Sequence, residues 1–218
     1  MKQKNTQVLE NVIKQMLNPI KNVPLYLVIE SMCGYKVLRY DNFEKQELIK
    51  VIEMSAKKIN ESGIKSNRPN EVGNYAEPYI IRAFKNYGYT ASIPQTSSKR
   101  KRSAGYPDIF VNIQGRAFYI ECKTYNIDNI ATTQRSFYLS PSKDFKITKD
   151  AYHIIFAFSI VRKAPDIYKT SGMKILDARD LLCDVKYEFN SDNKRMYGKK
   201  RLNIIYQKSL MGIKGEGV

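Results

Sequence analysis

The chain has 218 residues, 43% hydrophobic and 27% charged, which suits one soluble domain, with or without an appended subdomain, and enough length for a substantial core. Lys and Arg total 37 against 21 Asp and Glu, a formal net charge of +16; such an excess points to a polyanion, most simply nucleic acid, the plainer alternative being a soluble protein that is merely basic. Cys33, Cys122 and Cys183 lie far apart without C-x-x-C spacing, which argues against a zinc site or a secreted disulfide scaffold, while the absence of an apolar signal-like region and of any bilayer-length apolar run leads us to expect a cytoplasmic protein with no membrane partner.

In chain order, Val8, Leu9, Val12, Ile13, Met16 and Leu17 recur at helical spacing, and Pro19 should end that helix. A second apolar segment runs from about Pro24 to Gly34. A third helix is expected from a cap at Asp41 or Asn42, with Leu48, Ile52, Ala56 and Ile59 on one face and a stop at Gly63. After a connector at residues 65–70, the stretch NEVGNYAEPYIIRAFKNYGY carries Tyr75 or Ala76, Tyr79, Ile80, Ala83, Phe84 and Tyr87 as a helical stripe ending near Gly88. Pro78 must then lie in its first turn or kink it.

A short strand (TASIP) and a basic loop (QTSSKRKRSAG) precede a hairpin over GYPDIFVNIQGRAFYIECKTYN, with its turn at Gln114-Gly115-Arg116. Residues 128–152 are polar and loop-like, and HIIFAFSIV (153–161) is a buried strand. ILDARDLL (175–182) reads as a short helix, and the tail suggests one or two edge strands around a basic turn. The sum is an α/β chain: a mixed sheet flanked by helices, with a helical N-terminal extension. We divide it into a helical region over 1–66, for dimerisation or DNA clamping, and a core over 67–218 with a basic C-terminal edge (Lys194, Arg195, Lys199, Lys200, Arg201).

The hairpin holds the chemistry. Strand side chains alternate between faces. Ile109, Val111 and Ile113 share one face of its first strand, and Phe118, Ile120 and Cys122 one face of its second. If those faces meet the core, Asp108, Glu121 and Lys123 share the other. Two converging carboxylates suit a hard divalent cation such as Mg²⁺, and the backbone carbonyl of Cys122 can add an oxygen. A metal-activated water could then attack a phosphodiester, with the lysine orienting the water or neutralising the phosphate. A solvated strand face with scattered charges is the competing explanation.

Pro107-Asp108, then Glu121-Cys122-Lys123, resembles the signature of the PD-(D/E)xK nuclease superfamily, and the surrounding helix, hairpin and apolar strand over about 71–163 match its context. The resemblance implies a restriction-endonuclease-like sheet, Mg²⁺ (Mn²⁺ as a substitute) on Asp108 and Glu121, and Lys123 assisting the attacking water. Glu77 is the candidate for the acidic residue on the preceding helix, although Asn74 to Glu77 also has capping-box spacing. Size and organisation resemble type II restriction endonucleases, which implies a homodimer acting on double-stranded DNA, with a cognate DNA methyltransferase as genetic companion. Candidate DNA contacts are Lys99, Arg100, Lys101, Arg102 and Ser103 in the basic loop, and Gln134, Arg135, Ser136 and Lys143 further on. The competing explanation is a flexible solvated loop or localisation-like tract for the basic loop, and a polar surface loop for the second stretch. His153, the single histidine, opens an apolar strand and is expected to pack rather than catalyse. A junction-resolving or repair nuclease of the same fold, and a non-catalytic basic DNA-binding module, are the alternatives.

Overall fold

The computed structural model describes residues 2–67, 71–100, 105–133, 135–186, 191 and 195, with side chains from residue 6 onward. The chain divides into two compact units, Met1–Ile20 with Val185–Val218, and Lys21–Asp184. In the first, helix α1 spans Lys2–Leu17 and stops ahead of Pro19, as the apolar spacing and the proline require.

The second unit runs β1 (Val23–Pro24), α2 (Leu25–Cys33), α3 (Lys45–Ser62), β2 (Ile64–Lys65), α4 (Val72–Asn86), β3 (Ala91–Ser92), β4 (Ile109–Ile113), β5 (Arg116–Tyr125), a 3₁₀ turn (Ile127–Asn129), β6 (Tyr152–Ala164), β7 (Ile167–Asp177) and β8 (Leu182–Cys183). Six strands form one mixed sheet in the order β2-β7-β6-β5-β4-β3, and β1 pairs with β8 apart from it. Among the described strands of this sheet, β5 and β6 run parallel and the other neighbours antiparallel. A parallel pair needs a long crossover, and residues 126–151 supply it with little regular structure. The architecture is α/β, a restriction-endonuclease-like mixed sheet flanked by helices. Among the described residues no helix is long and apolar enough to cross a membrane.

Both sheet faces are covered. On one, Leu48, Ile52 and Ile59 of α3 and Ala76, Ile80 and Phe84 of α4 pack with Ile109, Val111, Phe118, Ile120 and Phe156. Burying each large side chain of this kind contributes roughly 1.5–3 kcal/mol. On the other, Leu25 and Ile29 of α2 join Tyr106, Tyr119, Ile147 and Ile155. The second hairpin face is therefore not a solvated one. At the hairpin turn, Gln114 and Gly115 both have positive φ (50° and 86°), the conformation that a tight two-residue connection demands.

Three local expectations are corrected. ILDARDLL is not a helix: Ile175, Leu176 and Asp177 complete β7 by pairing with Phe156, Ile155 and Ile154. Eight residues are too few for a helical period to be told from a strand end that finds a ready partner. Helix α3 begins at Lys45, with Glu44 and not Asp41 or Asn42 at the cap position and no side-chain cap; the Asp41 carboxylate instead accepts from Arg116 Nη1 at 2.7 Å and from the Phe43 N–H at 3.2 Å. Helix α4 begins at Val72, so Asn74 lies within its first turn rather than at the cap, and the Asn74–Glu77 capping box does not form. Of the two placements expected for Pro78, the first turn is excluded, and it sits in the helix interior.

Candidate active site

The site is built where β4 begins and the middle of β5 passes it. The β4–β5 ladder ends at Ile109↔Ile120. Beyond it, the backbone N–H of Cys122 donates to Asp108 Oδ2 at 2.8 Å, so the carboxylate takes the place of a ladder partner. In an extended strand a residue's N–H and C=O point to the same edge. The Cys122 carbonyl is thereby directed to the side on which Asp108 stands. On β5, Lys123 Nζ lies 2.6 Å from Glu121 Oε1, while Glu121 Oε2 is buried with no hydrogen-bond partner. Lys123 Nζ also lies 5.9 Å from the Phe137 ring centroid. Asp108, Glu121 and Lys123 lie near enough for their charges to act on one another.

Glu77 joins them. Gly73, one helical turn earlier, meets β5: its carbonyl accepts a long contact from Cys122 Sγ at 3.6 Å. A Cβ added at Gly73 would meet Thr124 Oγ1 at 3.5 Å, an ordinary van der Waals contact, so helix and strand are near neighbours here. Residues four apart share a helix face, so this close approach turns Glu77 toward the carboxylates. Burial and then the charge of Asp108 push the Glu77 carboxyl up to about 7. Burial also raises Glu121 and Asp108, with Asp108 adding to the rise of Glu121 and the Cys122 N–H opposing that of Asp108. Burial works against the Lys123 ammonium, but Glu121 and Asp108 outweigh it and hold its pKa above the usual value. Burial drives the Cys122 thiol well above its ordinary range, as expected of an inert core cysteine.

Two residues that the sequence analysis did not single out support this centre. The buried Lys146 donates from Nζ to the carbonyls of Gly105 (2.5 Å) and Pro107 (2.9 Å). Asp144 accepts from the Ser98 N–H at 2.9 Å and from Ser97 Oγ at 3.2 Å, while the Ser97 N–H donates to the Phe145 carbonyl. The Ser98 N–H is the main reason the Asp144 carboxyl falls to about 2. In sequence, the only signal was a lysine between Phe145 and Ile147 in an otherwise polar stretch.

The candidate DNA contacts are less gathered. Lys99, Arg100, Arg135, Ser136 and Lys143 are exposed, and the Arg135 guanidinium lies over Tyr138, 4.2 Å from its centroid. Lys101, Arg102, Ser103 and Gln134 lie outside the described residues, as does most of the basic tail.

His153 is fully buried, with Nδ1 2.6 Å from the Tyr106 hydroxyl, and burial lowers its pKa to about 3. The folded imidazole stays neutral where the unfolded one, titrating near 6.5, takes a proton. Stability from this group is therefore complete above about pH 6.5 and falls as pH drops toward 3, by on the order of 2 kcal/mol at about pH 5. Denaturant titrations of wild type and His153→Phe should show the wild-type advantage shrinking by that amount between about pH 7 and 5; a pH-independent difference would contradict a neutral buried His153.

A mixed α/β sheet bearing Asp108, Glu121 and Lys123 on one hairpin places the chain in the class of restriction-endonuclease-like nucleases. Comparison is more specific: the chain belongs to the type II restriction enzyme MjaV family, whose sequence profile matches residues 19–200. The family is one of restriction endonucleases, hydrolases of DNA phosphodiester bonds. The type II restriction enzyme MjaV of Methanocaldococcus jannaschii (strain ATCC 43067 / DSM 2661 / JAL-1 / JCM 10045 / NBRC 100440) is 38% identical over 225 residues, covering 93% of this chain and 96% of that protein. No solved structure matches the chain.

Proposed function

We propose that the chain is a Mg²⁺-dependent type II restriction endonuclease that cuts phosphodiesters at a specific short duplex site. The observation that carries this is the meeting of Asp108, Glu121 and Lys123 beneath Glu77. The donor set fits a hard cation: Glu121 Oε2 is a buried oxygen without a protein partner, and the Cys122 carbonyl shares its edge with Asp108. Among the described residues no three His, Cys, Asp or Glu side chains form a ligand cluster. Mg²⁺ does not need one, since it is bound through one or two carboxylates and keeps several waters.

Asp108, Glu121 and the Cys122 carbonyl would hold Mg²⁺, with Mn²⁺ as a substitute. The ion would lower the pKa of a water and balance the charge gathering on the phosphodiester. Lys123, kept cationic by Glu121, orients the attacking water beside the scissile phosphate. Glu77 adds negative charge that draws the cation to this end of the hairpin. The water oxygen bonds to phosphorus, the bond from phosphorus to the 3′ oxygen breaks, and a proton passes to that leaving oxygen, which leaves a 5′-phosphate. Exposed Lys99, Arg100, Arg135, Ser136 and Lys143 are suited to the duplex, and Lys101, Arg102, Ser103 and Gln134, beside them in sequence, are proposed for the same role. A homodimer, a cytoplasmic site of action and a methyltransferase companion follow from the same function, and residues 1–66 are offered for dimerisation or clamping. Family membership favours restriction over junction resolution and over binding without catalysis.

The test is digestion of a plasmid of known sequence with and without Mg²⁺. Discrete fragments that vanish with a chelator are expected. A smear, or fragments formed equally with the metal sequestered, would reject the proposal.

A further inference from the structure

We infer that Lys146 is a positioning residue of the nuclease centre, holding from behind the loop that delivers Asp108. The inference rests on the site assignment proposed above. Lys146 belongs to the irregular crossover before β6, yet only 4% of it is exposed. A buried ammonium is costly unless its protons and charge are met. Here Nζ donates to the carbonyls of Gly105 and Pro107, gathering both ends of a three-residue stretch on one group.

The residue after the second carbonyl is Asp108. Its side chain is held separately by the Cys122 N–H. Backbone and carboxylate are thus fixed independently, and β4 begins only at Ile109. Between Gly105 and Pro107 no helix or strand supplies this rigidity. The ammonium also stands in the field of Glu77, Asp108 and Glu121, so its charge offsets three carboxylates before any cation arrives. A neutral tether would hold the loop without that balance. Two residues earlier, Asp144 holds Ser97 and Ser98 of the loop that carries Lys99 and Arg100. One short segment therefore anchors the Asp108 loop through a cation and the basic loop through an anion.

The two anchors should separate by experiment. With no tryptophan and 16 tyrosines, tyrosine-sensitised luminescence of Tb³⁺, a hard oxygen-seeking cation, reads the metal site of the full chain without turnover. Lys146→Met should lose about 10–100-fold in both kcat and Tb³⁺ affinity, with duplex binding in chelator and KM for DNA changed by no more than about threefold. Lys146→Arg should recover most of the loss, because it restores charge and donors. Asp144→Ala should do the reverse, weakening duplex binding while leaving Tb³⁺ affinity alone. If Lys146→Met does not fold, Lys146→Gln, which keeps a donor without the charge, is read in the same way. Wild-type kcat and Tb³⁺ affinity in the folded variant overturn the proposal, and so does a loss of duplex binding in proportion to the loss of Tb³⁺ affinity. If Asp108→Asn itself cleaves normally, the site assignment falls; if Asp108→Asn is inactive and the Lys146 variants are not, only the role of Lys146 falls.

Discussion

Asp108→Asn is expected to abolish cleavage while the variant still binds duplex DNA. Asn keeps the size of the side chain and an oxygen that can accept the Cys122 N–H, so the end of the hairpin should hold its shape. What it removes is a negative charge from the buried end of the hairpin, where the cation is proposed to bind. Losing several kcal/mol of charge stabilisation corresponds to about 10³-fold or more in rate. Lys123→Ala should fail to a similar extent for a different reason, since it also leaves the buried Glu121 carboxylate without its 2.6 Å partner. The check is a plasmid-cleavage time course beside a gel-shift titration in chelator. Because much duplex affinity comes from phosphate contacts spread over a chain of net charge +16, binding should survive and weaken steeply with salt. Wild-type cleavage in either variant would remove the hairpin from the chemistry.

Glu77→Gln should lower cleavage by about 10–100-fold, the range typical of residues that support a metal site, without lowering thermal stability. A capping glutamate predicts the opposite pattern, with stability lost and catalysis spared. The helix start at Val72 removes the capping role. Burial and the neighbouring Asp108 make the Glu77 carboxylate an unfavourable charge in the absence of a cation. Replacing it with a neutral isostere relieves that strain, so Tm should hold or rise. A fall in Tm with full activity would return Glu77 to a structural role.

Much of this was written locally. The alternation in IFVNI and AFYIEC assigned faces to every hairpin residue, and the structure keeps them: Ile109, Val111, Phe118, Ile120 and Cys122 on one core, Tyr119 on the other. Gly34 and Gly63 end α2 and α3 where expected, because a positive φ at a helix end favours glycine. The continuous apolar run that became β6 was legible because its first eight residues are buried.

Other features depended on partners distant in the chain. The strand β7 mixes polar and apolar residues without clean alternation, with Tyr168 and Thr170 its buried positions, and what makes it a strand is the long ladder along β6. Asp41 had the composition of a helix cap, but Arg116, 75 residues later, takes its carboxylate. A solvated second hairpin face stayed a competing explanation in sequence because α2 and the crossover that cover it carry no mark of their destination. Lys146 looked like one more cation in a basic chain until folding brought it against carbonyls 39 and 41 residues away. By itself, then, the sequence determined the periodicities, the breakers, the charge excess and the grouping of Asp108, Glu121 and Lys123, since each is set by neighbours a few residues apart. Only the tertiary structure decided which backbone found a ladder, which carboxylates were buried together and which lysine was held among them, because those outcomes depend on desolvation and on partners that the chain brings near only when folded.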